Sequence, residues 1–189
     1  MGSKVAGPRT AAPVEYADDP QLLDRVLAVY KPNCRYLKSA TVIADGEPRD
    51  GGHVAVRGGF EIPESFYIMD TGHFNAVEFN LCFNQMIYFI MAKAVKERIM
   101  LPLGQWDMAD YWTRQLPDMF IVDFHSSFRR AMRGRTFAGE LDVWRITVRD
   151  GGNGPLILLD TTCRYWEEGG GRCQGEVKLV LRNPPASTD

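Results

Sequence analysis

The residue types best suited to chemistry lie in one run, Tyr67-Ile68-Met69-Asp70-Thr71-Gly72-His73-Phe74-Asn75-Ala76-Val77-Glu78. His73 can exchange a proton near neutral pH. Thr71 can give or take one hydrogen bond at an oxyanion or a carboxylate; equally, it can cap the helix that follows. Gly72 lets the main chain come close to a bound molecule. Asn75 and Glu78 have the N-x-x-E spacing of a capping box, and the same two side chains could instead line a site, with Glu78 as a carboxylate base. The run leads into a long apolar stretch and so reads as a helix entry. The first turn of a helix holds N–H groups with no intrahelical partner and carries partial positive charge. Such a place stabilises an oxygen that becomes negative when a carbonyl is attacked or polarised.

Other chemistries are not encoded. The cysteines Cys34, Cys82, Cys163 and Cys173 form no CxxC pair, and none of His53, His73 and His125 stands three or four residues from another His or Cys. Neither a zinc site nor any other metal site is expected. Cys82 has no histidine on its helical face, so a nucleophilic thiol is not expected either. Phosphate-loop and dinucleotide motifs are missing, as is a Ser–His–Asp arrangement, and no cofactor is expected. The net charge of −2 gives no basic excess for nucleic acid. The longest apolar stretch, 86–95, contains Lys93 and is too short to cross a membrane. With no apolar leader at the start, the expected location is the cytoplasm, with reduced cysteines.

The elements that must position the run follow from periodicity. Leu22, Leu23, Val26, Leu27 and Tyr30 recur at helical spacing, with Asp18 or Asp19 as cap, Pro20 in the first turn and Pro32 as the stop. Residues 36–45 and 52–61 read as strands. Residues 63–74 form a loop, and 75–98 a helix apolar on most sides, hence buried. A short helix spans 107–115. Strands follow at 118–128, 136–149, 155–167 and 172–182, with glycine-rich turns at 151–154 and 169–171. Late hairpins imply antiparallel pairing. A helix apolar all round needs a sheet that curls around it. The expected class is therefore α+β, a hotdog fold with a curved antiparallel sheet wrapped on a central helix; another α+β sandwich is the alternative. One domain is expected over 19–183, with a flexible tail at 1–18 and another at 184–189.

Residues 65–85, with Ser-Phe-Tyr-Ile, Thr-Gly-His-Phe-Asn-Ala-Val-Glu and Leu-Cys-Phe-Asn-Gln, resemble the FcoT-like thioesterase family. The resemblance extends to Cys34-Arg35-Tyr36-Leu37 and to the helix ending at Tyr30. It implies a hotdog fold, a homodimer or larger homo-oligomer, and fatty acyl substrates on coenzyme A or an acyl carrier protein. It also implies site roles for Tyr30, Tyr67, Thr71, His73, Asn75 and Asn84. Read without it, Tyr30 and Tyr67 fit core aromatics equally well, and Asn84 fits a satisfied buried amide.

Within that family the chain resembles the biosynthetic branch that adds glycine to α,β-unsaturated acyl thioesters. That implies conjugate addition of glycine followed by hydrolysis, giving a 3-(carboxymethylamino) fatty acid, with His73 moving the proton. Plain hydrolysis of long-chain acyl thioesters is one alternative, and a non-catalytic acyl-carrier binding protein is another. Arg129, Arg130, Arg133 and Arg135 could meet coenzyme A phosphates or the acidic face of a carrier; they also fit a solvated basic loop.

Overall fold

A computed structural model describes residues 12–46, 52–70, 72–100, 103, 106–152 and 154–182. The first helix, α1 (Pro20–Leu27), is capped by Asp19, whose side chain accepts from the Leu22 N–H at 3.1 Å, and Pro20 occupies the first turn. It stops short of Tyr30. The bonds from Ala28 N to Arg25 O and from Tyr30 N to Leu27 O close tighter i to i+3 turns, because Pro32 disfavours helical geometry in the residue before it. A 3-10 turn at Pro32–Cys34 then leads into the sheet.

The sheet has seven antiparallel strands. Val14–Tyr16 is β1, Leu37–Asp45 β2, His53–Glu61 β3, Met119–Arg130 β4, Thr136–Gly151 β5, Gly154–Trp166 β6 and Arg172–Arg182 β7. The order across the sheet is β1-β2-β3-β5-β6-β7-β4. Burial alternates along the strands, most regularly in β7, as a sheet with one covered face requires. The covering element is α2 (Ala76–Glu97), buried along most of its length, and α3 (Met108–Arg114) packs beside it. A curved antiparallel sheet around one long helix is the hotdog arrangement. None of the described helices is long and apolar enough to cross a membrane.

The tail expected over 1–18 differs at its end: Val14 to Tyr16 pair with Ala44 to Val42 as an edge strand. A three-residue strand carries too little alternation to read from sequence. Residues 1–11 and 184–189 lie outside the described residues.

Buried polar side chains fix α2 to the rest. Gln85 is fully buried; its Oε1 accepts from the N–H groups of Tyr36 and Leu37, both at 2.9 Å, and its Nε2 donates to Cys34 O at 2.6 Å. Lys93, almost fully buried, donates to Ala17 O at 2.9 Å and pairs with Glu97 at 3.1 Å. All four cysteines are buried and unpaired. Burial pushes the Cys82 thiol well above its usual range and that of Cys173 up to about 12.

Candidate active site

The predicted entry to α2 is a capping box. Asn75 Oδ1 accepts from the Val77 N–H at 2.8 Å, and Glu78 Oε2 accepts from the Asn75 N–H at 3.2 Å. Glu78 is buried, and its other oxygen accepts from Ser65 Oγ at 3.3 Å. With both oxygens engaged, Glu78 serves the architecture of the entry, and its readiness as a base is reduced. The Asn75 amide does a second job: its Nδ2 donates to the Tyr67 hydroxyl at 2.5 Å. That bond occupies an oxygen lone pair of Tyr67 and leaves the phenolic proton for another acceptor. Tyr67 is 43% exposed, so a bound molecule can reach it.

The N–H groups do not form the open row that an uncapped helix would offer. Asn75 covers the first turn, and the Gly72 N–H donates to Asp70 Oδ1 at 2.8 Å. The N–H of Ala76 has no acceptor among the described residues. Gly72 has φ of +74°, which glycine alone adopts without strain, and a side chain there would meet open space. Its role here is to turn the loop, and the space beside it is open.

Loop 62–72 is held by Arg135. This guanidinium donates to Ile62 O at 3.4 Å, to Pro63 O and to Asp70 Oδ2 at 3.0 Å. Arg135, one of the four arginines that fit either a phosphate contact or a solvated basic loop, bonds to the two ends of the loop. The Gly72 N–H, with Arg135 beside it, holds the Asp70 carboxyl below its usual range. The 131–135 segment is pinned in turn, because Glu167 accepts the N–H groups of Arg133 and Gly134. Phe74 N donates to Met132 O at 2.9 Å. Gly134 sits against Phe74 with φ of +72°, and a Cβ there would lie 2.8 Å from Phe74 Cβ. Beneath lies an aromatic cluster: Phe74 packs edge-on to Phe137 at 4.9 Å, and Phe79 to Tyr165 at 4.9 Å.

His73 is exposed and lines one small cleft together with Ser65, Asp70, Glu78 and Arg133. Thr71 lies outside the described residues. The structure thus brings together Tyr67, Gly72, His73, Asn75 and Glu78. Asn84 stands nine residues beyond Asn75, roughly 13 Å along the helix axis. Tyr30 packs against Tyr88, with ring centroids 6.3 Å apart, and its burial drives the phenol well above its usual range. Neither residue joins the cluster at the helix entry. Arg129 and Arg130 lie exposed at the end of β4. Sequence reasoning missed Ser65 and Arg135 as supports of the site; nothing in their spacing marks them, since both act across loops.

Among the described residues no group of three or more His, Cys, Asp or Glu could hold a metal. Residues 25–181 match the FcoT-like thioesterase domain. A "(2E)-enoyl-[ACP] glycyltransferase" of Streptomyces coeruleorubidus is 45% identical over 168 residues, covering 88% of this chain and 99% of that protein. A protein of the same name from Mycobacterium marinum is 38% identical over 181 residues, covering 95% and 94%. Among solved structures, SAV2348 of Staphylococcus aureus in complex with CoA overlaps 66% of this chain and 67% of that chain, with a TM-score of 0.41 and 10% identity. From the family match and the identity to these full-length relatives, the chain belongs to the FcoT-like thioesterase family.

Proposed function

We propose that this protein is an enzyme that adds glycine to C3 of a 2-enoyl group held as a thioester on an acyl carrier protein, then releases the product by hydrolysis. The observation that carries the reading at the site is the Tyr67 phenol, oriented by Asn75 at 2.5 Å beside the entry of α2. The identity to the two glycyltransferases, across nearly their whole lengths, supports the substrate.

His73 takes a proton from the glycine ammonium, and the freed amine attacks C3. The C2–C3 π electrons move toward the carbonyl, and the enolate oxygen is held by the Tyr67 O–H and the Ala76 N–H. His73 returns the proton to C2, leaving a 3-(carboxymethylamino)acyl thioester. Arg133 lines the same cleft, and its positive charge faces the glycine carboxylate. Thr71, two residues before His73 in sequence, is the other residue assigned to that carboxylate from the sequence. Water then attacks the thioester carbonyl at the same oxyanion position, and the carrier thiol leaves.

The protein works as a homodimer in the cytoplasm. β4 leaves one edge unpaired and exposes Phe120, Val122 and Phe128, which a second copy would cover. Four buried, unpaired thiols fit a reducing compartment.

The test is a paired assay. A 2-enoyl thioester and its saturated analogue are each incubated with and without glycine, and free thiol and product mass are followed. A glycine adduct from the enoyl substrate alone is expected. Equal, glycine-independent thiol release from both substrates would make the protein a plain acyl thioesterase.

A further inference from the structure

The end of the sheet next to the site carries an arrangement that folding alone disfavours. Arg130 on β4 stands directly opposite Arg172 on β7, and Arg172 stands opposite Trp166 on β6. Like charges directly opposite on neighbouring strands repel. Arg129 sits at the irregularity in β4 between Phe128 and Arg130. All three arginines are exposed, and none pairs with a carboxylate among the described residues. Nearby acids are engaged elsewhere. Glu140 pairs with Arg57 and Arg164, each at 2.7 Å, and Glu167 holds the N–H groups of Arg133 and Gly134. Glu168 lines the adjoining cleft, and Asp142 and Glu176 line a further cleft with Arg129.

A series of clefts that share lining residues lies between Arg129 and Arg172 and the site. The small cleft with His73 and Glu78 shares Arg133 and Arg135 with a second, of about 690 Å³. That one shares Trp166 with a third, of about 360 Å³, lined by Arg129, Arg164 and Arg172. The shared residues set the three clefts in order along the lip of the sheet, from the arginines toward His73.

We propose that this arginine lip is the docking surface for an acidic acyl carrier protein, with Arg130 and Arg172 receiving the phosphodiester of its pantetheine arm. This rests on the reading of the site as one that acts on a carrier-borne thioester. A phosphodiester between two guanidinium groups makes charge-assisted bonds to both and removes their mutual repulsion. On a chain whose net charge is −2, this lip is locally basic and draws an acidic partner to it.

The experiment titrates labelled holo acyl carrier protein with the full-length wild type and with R130E/R172E, at low and high salt. The double reversal is expected to weaken binding at least about tenfold, and wild-type binding to weaken with salt. The single variant R130E serves as the folding control. It places a glutamate opposite Arg172, so its melting temperature holds or rises. Equal affinity of wild type and R130E/R172E for the carrier overturns the proposal, as does absence of carrier binding by the wild type at low salt. Loss of coenzyme A affinity with carrier affinity intact also overturns it, since the arginines would then serve a nucleotide. Turnover is read separately: arginine-dependent carrier binding without glycine-dependent turnover would remove the chemistry assigned to His73 and leave the docking surface standing.

Discussion

The two ends of α2 solve opposite problems. From its middle onward, Gln85 and Lys93 are buried polar groups that bond to backbone carbonyls and N–H groups far away in the chain. At the N-terminal end, the polar groups bond mostly within one short segment, and their outer surface stays open: Tyr67 to Asn75, Asn75 to Glu78, Gly72 to Asp70. Buried polar groups with every bond made lock one arrangement. Exposed ones with spare bonding capacity can meet a ligand. The difference teaches that one helix serves as a fixed axle at its rear and as a reactive tip at its front.

The largest expected effect lies in the buried middle of the helix. Gln85→Ala leaves two buried N–H groups and one carbonyl without partners, at about 1–3 kcal/mol each. A loss near 4 kcal/mol is expected in chemical denaturation. A loss under 1 kcal/mol would erase the contrast between the ends. At the front, His73→Ala should lower turnover about 10³-fold, the middle of the range for a lost acid–base group, while the melting temperature of this exposed position stays within a degree or two. A large drop in melting temperature would make His73 a structural residue.

Tyr67→Phe removes the phenolic hydroxyl and keeps the ring. Conjugate addition should fall about 30-fold, or ~2 kcal/mol, somewhat below the loss of a fully buried oxyanion donor. Unchanged kcat in that variant would move the oxyanion site to backbone groups alone. The smallest effect concerns acid. Asp70, its carboxyl held below the usual range, clasps the loop through Gly72 and Arg135. A depressed pKa means that the contribution is present above the ordinary aspartate value and is lost as pH falls through the lowered one. The protection factor of the Gly72 amide, its exchange measured by NMR relative to the intrinsic rate at each pH, should hold through the ordinary aspartate range and fall only below it. A protection factor lost at higher pH would separate the clasp from Asp70.

Much of this layout was legible in the sequence because it rests on local rules. Alternation gave six strands, Asn75 and Glu78 marked the entry of α2 by their spacing, and the glycine runs marked hairpins. What stayed hidden acts over distance. Gln85 reads as one more helical glutamine until Tyr36 and Leu37 are seen beside it. Arg135 sat among arginines that looked alike, and only the fold separates the one clamping a loop from those facing solvent. Asn84, taken from the family resemblance, stands away from the cluster because a straight helix sets it about two and a half turns beyond the entry, and Tyr30, in the turn after α1, packs on Tyr88 further along that helix.

The Gln85 contacts also bear on the order in which the chain assembles. They join positions 48 to 51 residues apart, so they close a long loop, and the entropy of that closure must be met before any of the three bonds helps. Until β2 docks on α2, the amide has water or nothing. The bonds therefore form together and late, and Gln85→Ala is expected to speed unfolding far more than it slows folding, a partition that chevron kinetics reads directly.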